Sequence, residues 1–303
     1  MKGIILAGGH GTRLYPLTNV ISKQLLPVYD KPMIYYPLST LMLGGVKDIA
    51  IISTPQDLPF YKSLLGSGSI LGLNFTYIEQ SSPRGLADAF LICEDYIGHE
   101  NVVLILGDNI FHGNLRLKKI FEEFNAGATV FGYAVKDPER YGIIEFDDKG
   151  SIIGLEEKPK NPKSRYAIPG LYLYDNDVVK YAKKLKPSLR GELEITDLNK
   201  VYLEKGNLDV QIFGRGVAWL DSGTTNSLQD ASHFVQAIET RQSYKISCPE
   251  EIAVRMGFIS SKNYLHIVKK MPESEYKKYL MDLYDEIHET NITKEKAISE
   301  LQK

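Results

Sequence analysis

The chain of 303 residues has 43% hydrophobic and 24% charged residues and a formal net charge of −2. That balance is ordinary for a globular protein, and it gives no support to nucleic-acid or membrane-surface binding as the main role. The length suits one large domain with an appendage, or two domains. Cys93 and Cys248 lie far apart in different segments, which reads as reduced thiols rather than a disulfide framework. The apolar run at the N-terminus has only Lys2 ahead of it and soon meets glycines, unlike a signal peptide. No segment approaches the roughly eighteen continuous apolar residues of a spanning helix. A soluble, cytoplasmic protein with no membrane partner is therefore expected.

The stretch that organises the chain is its first: Lys2-Gly3-Ile4-Ile5-Leu6-Ala7 runs into Gly8, Gly9 and Gly11. This predicts a buried strand feeding a loop whose backbone comes close to a ligand. Glycine permits positive φ and lets N–H groups face outward without a Cβ. Amides so placed make an anion nest, and Arg13 and Lys23 add two positive charges nearby, so a phosphate chain is the expected guest. A Walker loop is excluded, because Gly11 is followed by Thr12-Arg13 rather than by Gly-Lys-Ser/Thr. A dinucleotide fingerprint fails at Leu14, where a small residue is required, and this argues against a nicotinamide dehydrogenase. Pro16, Pro27 and Pro32 predict a long loop in place of an early helix.

Downstream, the pattern predicts a helix over Met33–Gly45, a strand over Asp48–Ser53, a short helix around Leu58–Leu65 and a strand over Asn74–Glu79. A helix from Leu86 to Ile97 and the wholly apolar strand Val102–Leu106 follow. Strands alternating with helices of this length imply βαβ units and a parallel sheet covered on both faces. Ligands then bind beyond the carboxyl ends of the strands, where Gly8, Gln80 and Asp108 are all expected. Next come helix Leu117–Phe124, strand Thr129–Val135, and a hairpin made by Tyr141–Phe146 and Ile152–Glu157. Strand Leu171–Tyr174, helices over Val178–Leu185 and Glu194–Lys205, strand Val210–Phe213 and a strand tip at Ala218–Asp221 complete the core, before a long helix through Leu228. The fold class expected is α/β: a Rossmann-like, mostly parallel sheet flanked by helices, with a β-hairpin insertion and a helical C-terminal extension. The boundaries expected are a core over 1–245, divided near 135, and an extension over 246–303 with a frayed end.

Several residues carry chemistry. Asp108 and Asp221 each sit at a strand tip, where an acidic side chain either caps a turn or ligates a metal; two carboxylates with substrate phosphates suffice for Mg²⁺. Gln80 has a donor and an acceptor with which to read a pyrimidine N3–H and carbonyl together, and Gly85 would let backbone approach the base. Lys158 is a point charge suited to phosphate, and Pro159 is expected to hold it in extended backbone. No Ser-His-acid or Cys-His arrangement is evident.

The run Gly8-Gly9-x-Gly11-Thr12-Arg13-Leu14, then Lys23-Gln24-Leu25-Leu26-Pro27 and Tyr29 through Leu38, resembles the signature of the sugar-1-phosphate nucleotidylyltransferases, in particular those of the glucose-1-phosphate thymidylyltransferase kind. The resemblance covers nearly the whole chain. It implies Mg²⁺-dependent transfer from dTTP to glucose 1-phosphate, giving dTDP-glucose and pyrophosphate, at the head of dTDP-rhamnose-type biosynthesis. It implies that Arg13 and Lys23 are catalytic, Arg13 on the leaving pyrophosphate and Lys23 at the reacting phosphates. Nucleotide contacts are implied for Leu6, Gly8, Gly9, Gly11, Thr12, Gln24, Gln80, Pro83, Gly85 and Asp108. Sugar-phosphate contacts are implied for Asn109, Gly142, Glu157, Lys158 and Arg190, and metal ligation for Asp108 and Asp221. A homotetramer is implied too, with feedback by a dTDP-sugar at a second site including Gly113, Arg215 and Arg255. Arg84 departs from the pattern, standing where an acid is expected, and so does Pro169, which replaces a threonine; His10 holds a variable position and is not expected to be catalytic. The alternatives are a UTP-dependent or other sugar-phosphate enzyme of the same class, and a non-catalytic sugar-nucleotide regulator.

Overall fold

Strands that are apolar at every position need cover on both faces. They receive it in the computed structural model, which describes residues 1–9 and 11–287; the expectations for His10 and for the end of the chain lie outside these residues. In chain order the strands are β1 (Lys2–Leu6), the short pair β2 (Pro27–Val28) and β3 (Lys31–Pro32), β4 (Asp48–Ser53), β5 (Asn74–Glu79), β6 (Val102–Leu106) and β7 (Asn109–His112). They continue with β8 (Ala128–Ala134), β9 (Gly142–Phe146), β10 (Ile152–Glu157), β11 (Tyr166–Ala167), β12 (Leu171–Tyr174), β13 (Leu208–Ile212) and β14 (Ala218–Asp221).

The main sheet runs β10-β9-β11-β8-β12-β6-β1-β4-β5, and β13 pairs with β8. Strands β6, β1, β4 and β5 are parallel, the arrangement that the alternating strand and helix pattern predicts. Direction reverses at β12, which is antiparallel to both β6 and β8. Beyond it, β9 and β10 form the expected hairpin, with β11 bridging β9 to β8. Strands β7 and β14 make a separate antiparallel pair that sets Asp221 opposite Asn109.

Side chains two apart share a face, so each strand feeds two cores. Ile5, Ile49, Ile51, Val103, Ile105 and Phe131 face one side, against helix Tyr35–Leu43 and the C-terminal helices. Ile4, Leu6, Ala50, Ile52, Val102 and Leu104 face the other, against Phe90, Val178, Leu198 and Tyr202. The described C-terminal helices, Pro249–Arg255, Ser261–Lys270 and 275–287, place Ile252, Ala253, Tyr264, Val268 and Leu280 in the first core. The long helix Thr225–Gln242 buries Ala231 and Val235 against Val28, Met33 and Tyr36, and thereby seats the β2–β3 pair. Cys93 and Cys248 are free and buried. Among the described residues no helix is long and apolar enough to cross a membrane.

Two expectations change. The helix expected over Leu86–Ile97 starts only at Asp88 and breaks at Cys93 into Asp88–Ile92 and Glu94–Ile97. At this end the Ala87 N–H donates to Leu193 O at 3.1 Å, which docks a distant loop on the segment. The chain after β6 also re-enters a strand at once, as β7, where only a strand end was expected. Truncation tests the first core. Phe131 is fully buried and stacks on Phe213 at 4.9 Å, so Phe131→Ala should cost about 3–5 kcal/mol of stability, read as a lowered denaturation midpoint at unchanged m-value.

Candidate active site

The site forms where the parallel strands end. Gly107 N–H donates to Leu6 O at 2.9 Å, and a Cβ on Gly107 would lie 2.8 Å from Gln24 Cγ. Glycine is thus required where the tips of β1 and β6 and the phosphate loop close on one another. Gln24 is turned inward, its Oε1 accepting from Ser22 Oγ at 3.0 Å and from Tyr61 OH at 3.4 Å. Gly8 lies against Gln80, as the shared strand edge predicts: a Cβ there would meet Gln80 Oε1 at 2.7 Å. Gly9 has φ 105° and would meet nothing with an added Cβ, so its backbone faces open space. Gly11 has φ 56° and closes the loop by accepting a hydrogen bond from Thr18 Oγ1 at 2.9 Å. Thr12 opens a single 3₁₀ turn that exposes Arg13 and buries Leu14.

A cleft of about 400 Å³ follows. It is lined by Arg13, Asp108, Asn109, Gly142, Glu157, Lys158, Arg190 and Asp221 from the residues singled out in the sequence. Lys23 does not line it; it is buried, ion-paired with Asp108, and with Gly9 lines a separate cavity. Burial alone would raise the Asp108 pKa, but Lys23 and the Asn109 amide, which donates to Oδ1 at 2.8 Å, hold it below the ordinary value. Asp221 goes the other way. Burial first, and then the Asp108 carboxylate, push its pKa up, although Arg13 and Arg140 oppose this. Arg13 reaches across the cleft: a Cβ on Gly223 would lie 2.9 Å from Arg13 Nη2 and 3.0 Å from Asp221 Oδ1. Among the described residues no group of three or more His, Cys, Asp or Glu side chains is arranged to hold a metal. Asp108 and Asp221 are a pair, and that is the donor set Mg²⁺ needs when substrate phosphates and water complete its shell.

At the far wall, Glu157 Oε2 accepts from Thr196 Oγ1 at 2.5 Å, and Gly142 leaves room for both. Arg190 lies 2.8 Å from Glu194 and 3.7 Å from Glu157. Lys158 departs from expectation. Its φ is 45°, in the left-handed region rather than extended, because its N–H donates to Tyr141 O at 3.0 Å and ends the β9–β10 ladder in a turn. Gly85 likewise makes a different approach from the one expected. A Cβ there would meet Leu193 O at 2.4 Å and Leu193 N at 2.5 Å, so its backbone accommodates the loop carrying Arg190. Pro83 is exposed on the same turn. Gly113 and Arg215 flank one region, since a Cβ on Gly113 would touch Gly216 O at 2.4 Å and Arg215 lines a neighbouring cavity of about 550 Å³. Arg255 does not line that cavity; it pairs with Glu251 at 2.8 Å and with Glu286 at 3.3 Å.

The structure adds residues that sequence reading did not single out. Trp219 donates to Asn109 Oδ1 at 2.6 Å, and Gly170 N–H donates to the same atom at 3.0 Å, which fixes Asn109 beside Asp108. Arg140 lies 3.8 Å from Asp221, and Asp88 holds Gln80. The only signals in sequence were a single tryptophan in a predicted strand tip and a basic residue just before a hairpin.

The nucleotidyl transferase family matches residues 2–238. The chain belongs to that family. A glucose-1-phosphate thymidylyltransferase of Neisseria meningitidis is 55% identical over 93% of this chain and 99% of its own length. One from Mycolicibacterium smegmatis is 54% identical over 94% and 99%. A crystal structure from Bacillus anthracis, solved with sucrose, is 47% identical with a TM-score of 0.72 and covers 77% of this chain and 94% of that one. For a nucleotidyl transferase built this way, Lys23→Met should lower kcat about 10²–10³-fold in a steady-state assay, because it removes the charge that pairs with Asp108 at the edge of the cleft. Gly85→Ala should unseat the Leu193 loop and lower stability by about 1–3 kcal/mol, with a raised KM for the sugar phosphate.

Proposed function

We propose that the protein is a glucose-1-phosphate thymidylyltransferase: it joins the thymidylyl group of dTTP to α-D-glucose 1-phosphate and releases dTDP-glucose and pyrophosphate. One observation carries the reading. Arg13 from the glycine loop, a carboxylate pair and a cluster of Glu157, Lys158 and Arg190 converge on one cleft, in a chain more than half identical to enzymes of that name.

The reaction needs no general base, since the attacking oxygen already belongs to a phosphate. The phosphate of glucose 1-phosphate attacks the α-phosphorus of dTTP, the new P–O bond forms as the bond to the β-phosphate oxygen breaks, and pyrophosphate leaves with the electron pair. The protein's task is to bring two anions together and to neutralise charge as it moves. In this reading Arg13 holds the β- and γ-phosphates, and Lys23 neutralises charge at the reacting centre. Lys158 and Arg190 hold the sugar phosphate, while Glu157, fixed by Thr196, accepts from a sugar hydroxyl. Gln80 reads the base. Asp108 and Asp221 would hold Mg²⁺, which when bound offsets charge on the α-phosphate; the upward push that Asp108 gives Asp221 is a repulsion such a cation relieves.

We also read the protein as a cytoplasmic homotetramer, inhibited by a dTDP-sugar near Gly113 and Arg215. The support is the sequence resemblance and the cavity lined by Arg215. The direct test of the activity is pyrophosphate release with glucose 1-phosphate, comparing dTTP, UTP, ATP and GTP. The expected outcome is fastest release with dTTP and loss of release on chelating divalent cations. A preference for UTP would make it the sister activity, and no release with any nucleotide would reduce the cleft to a binding site.

A further inference from the structure

Gln80 follows β5 at the carboxyl edge of the sheet, with 6% of its surface exposed. A primary amide exchanges its donor and acceptor ends by turning over, so it specifies a partner only when something fixes which end faces that partner. Asp88, 1% exposed, is placed to do this. Its Oδ2 accepts from Gln80 Nε2 at 3.1 Å, and its Oδ1 accepts from Arg84 Nη2 at 2.7 Å. A carboxylate paired with a guanidinium offers acceptors alone, so the end of Gln80 turned to it is the NH₂. The Oε1 end is left against the glycine loop, at Gly8.

We propose that Asp88, clamped by Arg84, is a positioning residue that keeps the Gln80 carbonyl toward the base and so selects pyrimidines bearing N3–H over those whose N3 is an acceptor. This deepens the thymidylyltransferase reading and rests on it for the location of the base. Thymine and uracil offer N3–H beside a carbonyl, and both match an edge made of Oε1 and the second N–H of Gln80. Cytosine offers a lone pair at N3 and an amino group beside it, and meets that edge acceptor to acceptor and donor to donor. Buried acceptors left facing one another cost more than a missed hydrogen bond. Arg84 also gains a purpose: its side chain, mostly exposed, closes on Asp88 rather than on the cleft.

The test is Asp88→Asn, which keeps size and lets Gln80 present either end. With glucose 1-phosphate as acceptor, the ratio of kcat/KM for dTTP to that for dCTP should fall about 10- to 100-fold, while the dTTP-to-UTP ratio stays unchanged. A merely structural role would lower all nucleotides together. An unchanged dTTP-to-dCTP ratio in the folded variant overturns the proposal. The wild-type protein supplies a second measurement by NMR, with the Gln80 side-chain signal assigned by its loss in Gln80→Glu. One Hε2 proton should be protected from solvent exchange, and two equally fast protons would overturn the lock whether or not the variant folds. Wild-type protein that turns over no nucleotide would count against the enzyme reading, and the exchange measurement would still decide the lock.

Discussion

The partly buried ion pair between Lys23 and Asp108 is the joint on which the site is assembled. Lys23 comes from the long loop after β1 and Asp108 from the tip of β6, strands that lie side by side in the sheet. Removing one member of such a pair leaves a charge in a low-dielectric setting, which costs more than the intact pair contributes. The loop and the strand tip therefore hold each other in place. Gln24, next in sequence, wedges against Gly107 and is held by Ser22 and Tyr61, so the same few residues make the loop rigid and aim its charge. A glycine-rich turn with scattered cations would have neither property.

Around this joint the other charges hold weaker partners. Arg190 lies against Glu194, Glu192 and Glu157, and Lys158 lies 3.6 Å from Glu157. All these pairs reach solvent, where an ion pair is worth about 0–1 kcal/mol. Lys158 and Arg190 can accordingly leave their carboxylates for another anion at little cost, whereas Lys23 is held fast. The division suits the chemistry: a fixed charge belongs where the transition state must be met without reorganisation, and exchangeable charges belong where a substrate enters and a product leaves.

Much of this was legible in the sequence, and what was not has a physical cause. Apolar runs such as Val102–Leu106 appear as continuous because both faces of the sheet are covered, and their tips marked Gly8, Gln80 and Asp108 for one edge. The resemblance carried Glu157, Lys158 and Arg190, whose convergence on the cleft depends on the β12 reversal and on a loop docking far from its place in the chain. Local rules failed where contacts distant in sequence intervened. Pro159 argued for extended backbone at Lys158, but the end of the hairpin ladder required a turn. Gly85 was read as room for a base, whereas the space is filled by Leu193. Asp88 was invisible for a related reason: within a helical pattern an aspartate looks like a first-turn acid, and only its burial beside Gln80 shows what it holds.

The Gly85 contact also explains how the two halves of the site stay in register. Leu193 N–H donates to Arg84 O at 2.7 Å while Ala87 N–H donates to Leu193 O, so the segment that carries Gln80 and Asp88 is bonded to the one that carries Arg190 and Glu194. Backbone hydrogen bonds between loops have a fixed length and direction, and neither side chain in such a contact can be exchanged to absorb a shift. A displacement of the loop that carries Arg190 is therefore transmitted to the turn that carries Gln80. Two segments far apart in sequence thus share one mechanical element, and the geometry of each constrains that of the other.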